Sequence, residues 1–164
     1  MKPLRIAIAS LLVLVMVGAS YVGVNSMSGS TNSGGSLLVQ VTDNAGEAPT
    51  ITAPMGAAPT VLTTGDVIVG NGAEVLPSST LTVHYTLMAW STGQIIESSW
   101  SSGSPATFAL AQVVPGWQQG LPGAKVGGRR LLILPPDMGY GAAGAGPIGP
   151  NETLIFVVDI LGVS

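Results

Sequence analysis

Residues 113–140 read VVPGWQQGLPGAKVGGRRLLILPPDMGY, and no other stretch limits the fold as tightly. Pro115-Gly116 sets up a short helix, because proline is tolerated at a first helical position whose amide would lack a partner anyway. Gly120 and the Pro122-Gly123 pair stop that helix after about two turns at most. A glycine turn over 125–128 leads into a strong strand over 130–134. Pro135-Pro136 ends it, since proline cannot donate to a ladder. On so short a helix the indole of Trp117 marks either the floor of a pocket or the centre of a small core.

The rest of the chain reads as short strands. In LTVHYTLM, Leu81, Val83, Tyr85 and Leu87 fall on one face and Thr82, His84, Thr86 and Met88 on the other, the period of a strand with one buried side. Further strands are expected over 67–69, 94–97, 107–110 and 153–161, the last almost wholly apolar until Asp159. Residues 98–104 read as a flexible loop that exposes Trp100, and 139–150 as a long glycine- and proline-rich loop. Upstream, 37–41 and 50–53 suggest two more short strands. The Ala-Pro steps at Pro49, Pro54 and Pro59 favour extended backbone, so 37–63 is expected to form an extended arm. A sheet of this kind must bury one face, and the Trp117 helix is the available partner. The expected fold is α+β, an antiparallel half-barrel sheet wrapped around one short helix, in a domain over 64–164.

Composition narrows the function. Lys2 and Arg5 precede an apolar run over 6–17 and the small residues Gly18, Ala19 and Ser20, the layout of an export signal. Counted through Val24, the run also approaches the ~20 residues of a membrane anchor with its basic end inside. A cleaved signal and an anchor over 1–24 both remain open. Residues 25–36 (NSMSGSTNSGGS) form a flexible linker. The reading places the domain outside the cytoplasmic membrane, in contact with it only through the N-terminal segment. The chain has no cysteine, so no disulfide staples the domain. Beyond the N-terminal segment only Lys125, Arg129 and Arg130 are basic, which leaves no footprint for nucleic acid. A single histidine, His84, argues against a zinc site, and its position opposite Tyr85 suits a surface or sheet-packing residue. The glycines of 139–149 match neither a dinucleotide fingerprint nor a phosphate loop, and no serine sits in a nucleophile elbow. Asp137 reads as a turn-former.

VHYTLMAWSTGQIIESSW, FALAQVVPGWQQGLPGAKVGGRRLLILPPDMGYG and PIGPNETLIFVVDIL together resemble the FK506-binding-protein (FKBP) type of peptidyl-prolyl cis-trans isomerase, over about residues 64–161. The exported layout resembles actinobacterial members. The resemblance implies an FKBP-like half-barrel and a pocket with Trp117 as floor and Val113 and Val114 as one wall. It further implies that the Val114 amide and the Tyr140 hydroxyl donate to bound peptide, that Tyr85, Phe156 and Tyr140 are aromatic walls, and that Ile148 lies on the overhanging loop. Ile96 stands where the family usually has phenylalanine, Glu97 where it has aspartate, and Ala106 where phenylalanine is frequent. The loop before Pro150 is one residue short, with Pro147 and Gly149 departing from the family's residues. Two lost aromatic walls imply a wider or shallower pocket, at about 1–3 kcal/mol of burial for each large side chain. Reduced turnover and altered substrate preference are then expected. Glu97 keeps the carboxylate one methylene further out, so that its bond to Tyr85 or the pocket rim is re-aimed.

The chemistry implied is isomerisation of X-Pro bonds in exported polypeptides, with Tyr140, Val114, Glu97 and Trp117 as the catalytic set and Tyr85, Ile96, Val113, Ile148 and Phe156 as further substrate contacts. Such a reaction asks for no metal, nucleotide or cofactor. Macrolides are the second ligand class the resemblance implies. The competing reading is a non-catalytic peptide-binding or chaperone-like module with a degenerate pocket, suggested by Ile96, Glu97 and Ala106.

Overall fold

In the computed structural model, residues 38–164 are described. The expected signal or anchor, the linker and Leu37 lie outside them. Among the described residues no helix is long and apolar enough to cross a membrane.

Six strands form one antiparallel sheet: β1 (Thr63–Ile68), β2 (Thr80–Ala89), β3 (Ile95–Ser98), β4 (Ala106–Ala109), β5 (Arg129–Leu134) and β6 (Leu154–Val163). The order is β1-β5-β6-β2-β3, with β4 also on β2. β6 runs along one side of β2. On the other side β3 pairs with Thr86, Leu87 and Met88, and β4 with Thr80, Leu81, Thr82 and Val83. The edge is therefore one interrupted strand, and the interruption is a helix. Where the sequence suggests a loop exposing Trp100, the structure has α1 (Ser99–Ser102). Trp100 stacks on His84, with ring centroids 3.9 Å apart and planes at 18°. Burying an aromatic face outweighs the poor helix propensity of its serines.

α2 (Pro115–Gly120) lies on the inner face of the sheet. Two short α-helices thus replace the single one expected. α2 ends at Gly120, within the two turns expected, and Gly120 also permits a close approach. A Cβ on Gly116 would sit 2.2 Å from Leu134 Cγ, and one on Gly120 2.3 Å from Leu132 Cδ2. Residues four apart share a helix face, and Leu132 and Leu134 share a strand face. The two glycines let the helix rest directly on β5.

Parity along the strands sorts the core. Leu81, Val83, Leu87, Leu132, Leu134, Leu154, Phe156, Val158 and Ile160 face inward with Trp117. Met88, Leu131, Ile133, Ile155 and Val157 face outward and are also buried, beside Val39 and partly buried Leu38, Val41 and Ile51. The arm covers the outer face, which is why β6 reads as a continuous apolar run. It does so with little regular structure: the two strands expected over 37–41 and 50–53 reduce to one bridge, Val41 to Ile51. The remaining differences are of limits. β1 starts at Thr63 and excludes Val69, β4 lies one residue earlier than expected, and β5 includes Arg129.

Candidate active site

The site is assembled around α2. A helix of six residues has little stability of its own. Pro115 occupies its first turn, and Arg130 holds its other end. The Arg130 guanidinium makes two bonds to the Asp66 carboxylate, of 2.7 and 3.0 Å, and donates to the Gly120 and Pro122 carbonyls. Helix end, β1 and β5 are thereby joined at one cation, placed where the helix dipole favours positive charge.

Trp117 is only 4% exposed. Three rings meet it edge to face: Phe156 at 5.4 Å, Phe108 at 5.6 Å and Tyr85 at 6.0 Å between centroids. Tyr85 and Phe108 also contact one another at 5.9 Å. Ile148 is buried in the same cluster, and Val113, Val114 and Ile96 pack against it half-buried. The indole Nε1 is buried without a hydrogen-bond partner among the described residues. An unpaired buried donor of this kind costs about 1–3 kcal/mol in typical cases.

Phe108 is the ring that position-by-position reasoning missed. Ala106 leaves the wall that the resemblance assigns to it, but Phe108 lies two residues further along β4 and so on the same face. Phe108 places a ring against Tyr85 and Trp117 on that face. At Ile96 no aromatic replacement accompanies the change.

Polar groups gather on one side. The Tyr85 hydroxyl donates to Glu97 Oε1 at 2.5 Å, so the longer acid still reaches the phenol. Burial, then this bond and the charge of Glu97, with a smaller part from the neighbouring Tyr140, push the Tyr85 phenol well above its usual range. Tyr85 remains a neutral donor throughout physiological pH. Its backbone is fixed from below, since its N–H donates to the buried Ser99 Oγ at 2.9 Å, which also lies 2.9 Å from His84 Nδ1. α1 therefore props the strand that carries Tyr85. Tyr140 is 40% exposed at the head of the glycine-rich loop. Asn151 N–H donates to the Gly141 carbonyl and closes the loop base, and Ile148 and Ala145 exchange backbone bonds of 2.8 and 2.9 Å at its tip. Among the described residues the Val114 N–H has no hydrogen-bond partner.

Residues 72–161 match the profile of the FKBP-type peptidyl-prolyl cis-trans isomerases. This chain belongs to that family. It is 44% identical over 115 residues to a probable FK506-binding protein of Corynebacterium glutamicum, covering 70% of this chain and 98% of that one. An FK506-binding protein of Streptomyces anulatus is 45% identical over 121 residues, 71% of this chain and 98% of its own. Among solved structures, FkpA from Escherichia coli superposes with a TM-score of 0.60 at 38% identity. That match spans 63% of this chain and 48% of FkpA. AtFKBP13 gives 0.59 at 31% identity, over 65% of this chain and 96% of that structure. Family membership makes the protein a peptidyl-prolyl cis-trans isomerase, acting on proline-containing polypeptides through the apolar, aromatic cluster described above.

Proposed function

We propose that the X-Pro bond is isomerised over the Trp117 indole, in the hollow bounded by Tyr85, Phe108, Val113, Val114, Ile148 and Phe156. The observation that carries this reading is the ring of edge-on aromatics around one buried indole beside an unpaired backbone amide, that of Val114. The barrier to rotation comes from amide resonance, which favours the planar, charge-separated form and is reinforced by water. A dry aromatic site withdraws that solvation and so favours the twisted bond over either planar one. The Val114 N–H and the Tyr140 hydroxyl hold the flanking carbonyls, and no proton is transferred. Glu97 keeps the Tyr85 hydroxyl engaged, so that this wall presents its ring edge to the proline. Ile96 lines the open side and gives a shallower wall there.

The clients in this reading are exported polypeptides, met outside the cytoplasmic membrane. Lys2, Arg5 and the apolar run that follows them support this placement. The relatives are named for binding FK506, and the same hollow would accept a macrolide in place of the prolyl ring. The test is a refolding or peptide assay limited by one X-Pro bond. Acceleration by the protein, lost in Trp117→Ala while circular dichroism shows the sheet intact, is the expected result. Peptide binding without acceleration would overturn it. For the macrolide, competition against the peptide is the measurement.

A further inference from the structure

We infer that Gln118 is a positioning residue for turnover: its side-chain amide aims the Val114 N–H into the site. The inference rests on the reading of that N–H as a substrate donor. Val113 and Val114 link a 3-10 turn (Leu110–Gln112) to α2, and neither is inside a regular element. The backbone bond from the Val113 N–H to Leu110 is 3.5 Å long, at the weak end of the range. Gln118 supplies the missing restraint. Its Nε2 donates to the Val113 carbonyl at 2.7 Å and reaches the Ala111 carbonyl at 3.4 Å. Both partners are acceptors, so the nitrogen of the amide must face them. Its backbone N–H also meets the Val114 carbonyl, at 3.3 Å. One residue on the outside of the helix thus holds both carbonyls of the dipeptide.

Planarity of the peptide turns this grip into aim. The Val113 carbonyl and the Val114 N–H belong to the same peptide unit, and in a trans unit they point in opposite directions. Drawing the oxygen outward to Gln118 turns the N–H inward, towards the aromatic hollow. The side chain is exposed and lies outside the buried core. Its effect reaches the reaction only through that one peptide plane.

The geometry provides its own control. Val114 has φ −55° and ψ 148°, a conformation proline adopts without strain, so Val114→Pro deletes the N–H and keeps the backbone. Gln118→Glu keeps size and helix propensity but sets a carboxylate against two carbonyl oxygens. Gln118→Lys restores a donor. We expect Q118E to lower kcat/KM by roughly threefold to tenfold, the range of one net hydrogen bond, with Q118K recovering most of the loss. In the V114P background Q118E should add nothing. Urea midpoints of all variants check that the fold is kept. A full Q118E loss persisting in V114P, or equal losses in Q118E and Q118K, would overturn the positioning role. Activity unchanged by V114P alone would instead overturn the donor reading beneath it.

Discussion

Tyr85 is held at both ends, by Ser99 at its amide and by Glu97 at its hydroxyl, and the second bond has a consequence for stability. Burial and Glu97 raise its ionisation above the ordinary value of 10.0. The folded state keeps the proton longer than the unfolded chain, so this stabilisation is complete below about pH 10 and is lost as pH rises further, towards the folded value. Urea midpoints should therefore fall as pH rises above about 10, and fall less in Tyr85→Phe. Equal falls would mean that the phenol titrates normally in the fold. Phe108 offers a second test at this scale. Phe108→Ala removes one of three rings around Trp117, and a half-buried ring lies at the low end of about 1.5–3 kcal/mol. Stability should drop by about that, and kcat/KM by roughly tenfold if the lost packing is expressed in the transition state. Unchanged kcat/KM would leave Phe108 a core residue only. The aromatic cluster was partly legible in the chain: Tyr85, Trp117 and Phe156, expected together, do meet, whereas Phe108 was not singled out. The resemblance weighed Ala106 alone, and the ring two residues further along the strand was not considered. The alternation of residues 106–109, followed through, would have found it.

The placement of α2 depends on what it leaves out. A helix of six residues with glycine at both Gly116 and Gly120 is a poor helix, each glycine costing up to about 1 kcal/mol against alanine. Gly116→Ala should stabilise if propensity decided the matter. A Cβ 2.2 Å from Leu134 Cγ says otherwise, because forcing a methyl into packed surroundings costs typically 1–3 kcal/mol. We expect a net loss of about 1–2 kcal/mol and a shifted Trp117 emission, since the indole is the next residue along. In a Leu134→Ala background the same change should be less damaging; additive losses would place the strain elsewhere. The sequence marked this helix by Pro115 and Trp117 and its end by Gly120, but not the contact of Gly120 with Leu132. A glycine that ends a helix and one that touches a strand look alike until the strand is in place. The same limit hid α1, whose serines give no helical signal and which is held by the stacking of Trp100 on His84 and the bonds of Ser99 to β2.

At the scale of the whole molecule, the sheet separates two tasks. The inner face carries the aromatic cluster, and the outer face carries the arm, fixed at Arg129. This guanidinium is fully buried, and each of its nitrogens is engaged. Nε and Nη2 meet Asp159 at 2.7 and 2.8 Å, Nη1 meets the Thr42 carbonyl and Asn44 Oδ1, and Nη2 also meets the Glu47 carbonyl. Its side chain points outward while that of Arg130 points inward to α2, so the arginine pair serves both faces. Nothing in the arm's composition announced this, because its own contribution is two carbonyls and an amide. Such a pair is weak evidence for stability in itself, yet removing one partner strands the other, at about 3–5 kcal/mol. Arg129→Met should therefore lower stability by about that amount and loosen the arm, seen as faster amide exchange over residues 38–55. Arg129→Met with Asp159→Leu should recover part of the loss, since no charge is then left buried alone. In both variants the folded fraction should isomerise X-Pro bonds at the wild-type rate, because the outer face does not line the hollow. A fall in kcat for molecules shown to be folded would mean that the clamp is felt through the sheet at Tyr85, by way of His84, which pairs with Asp159 across β2 and β6.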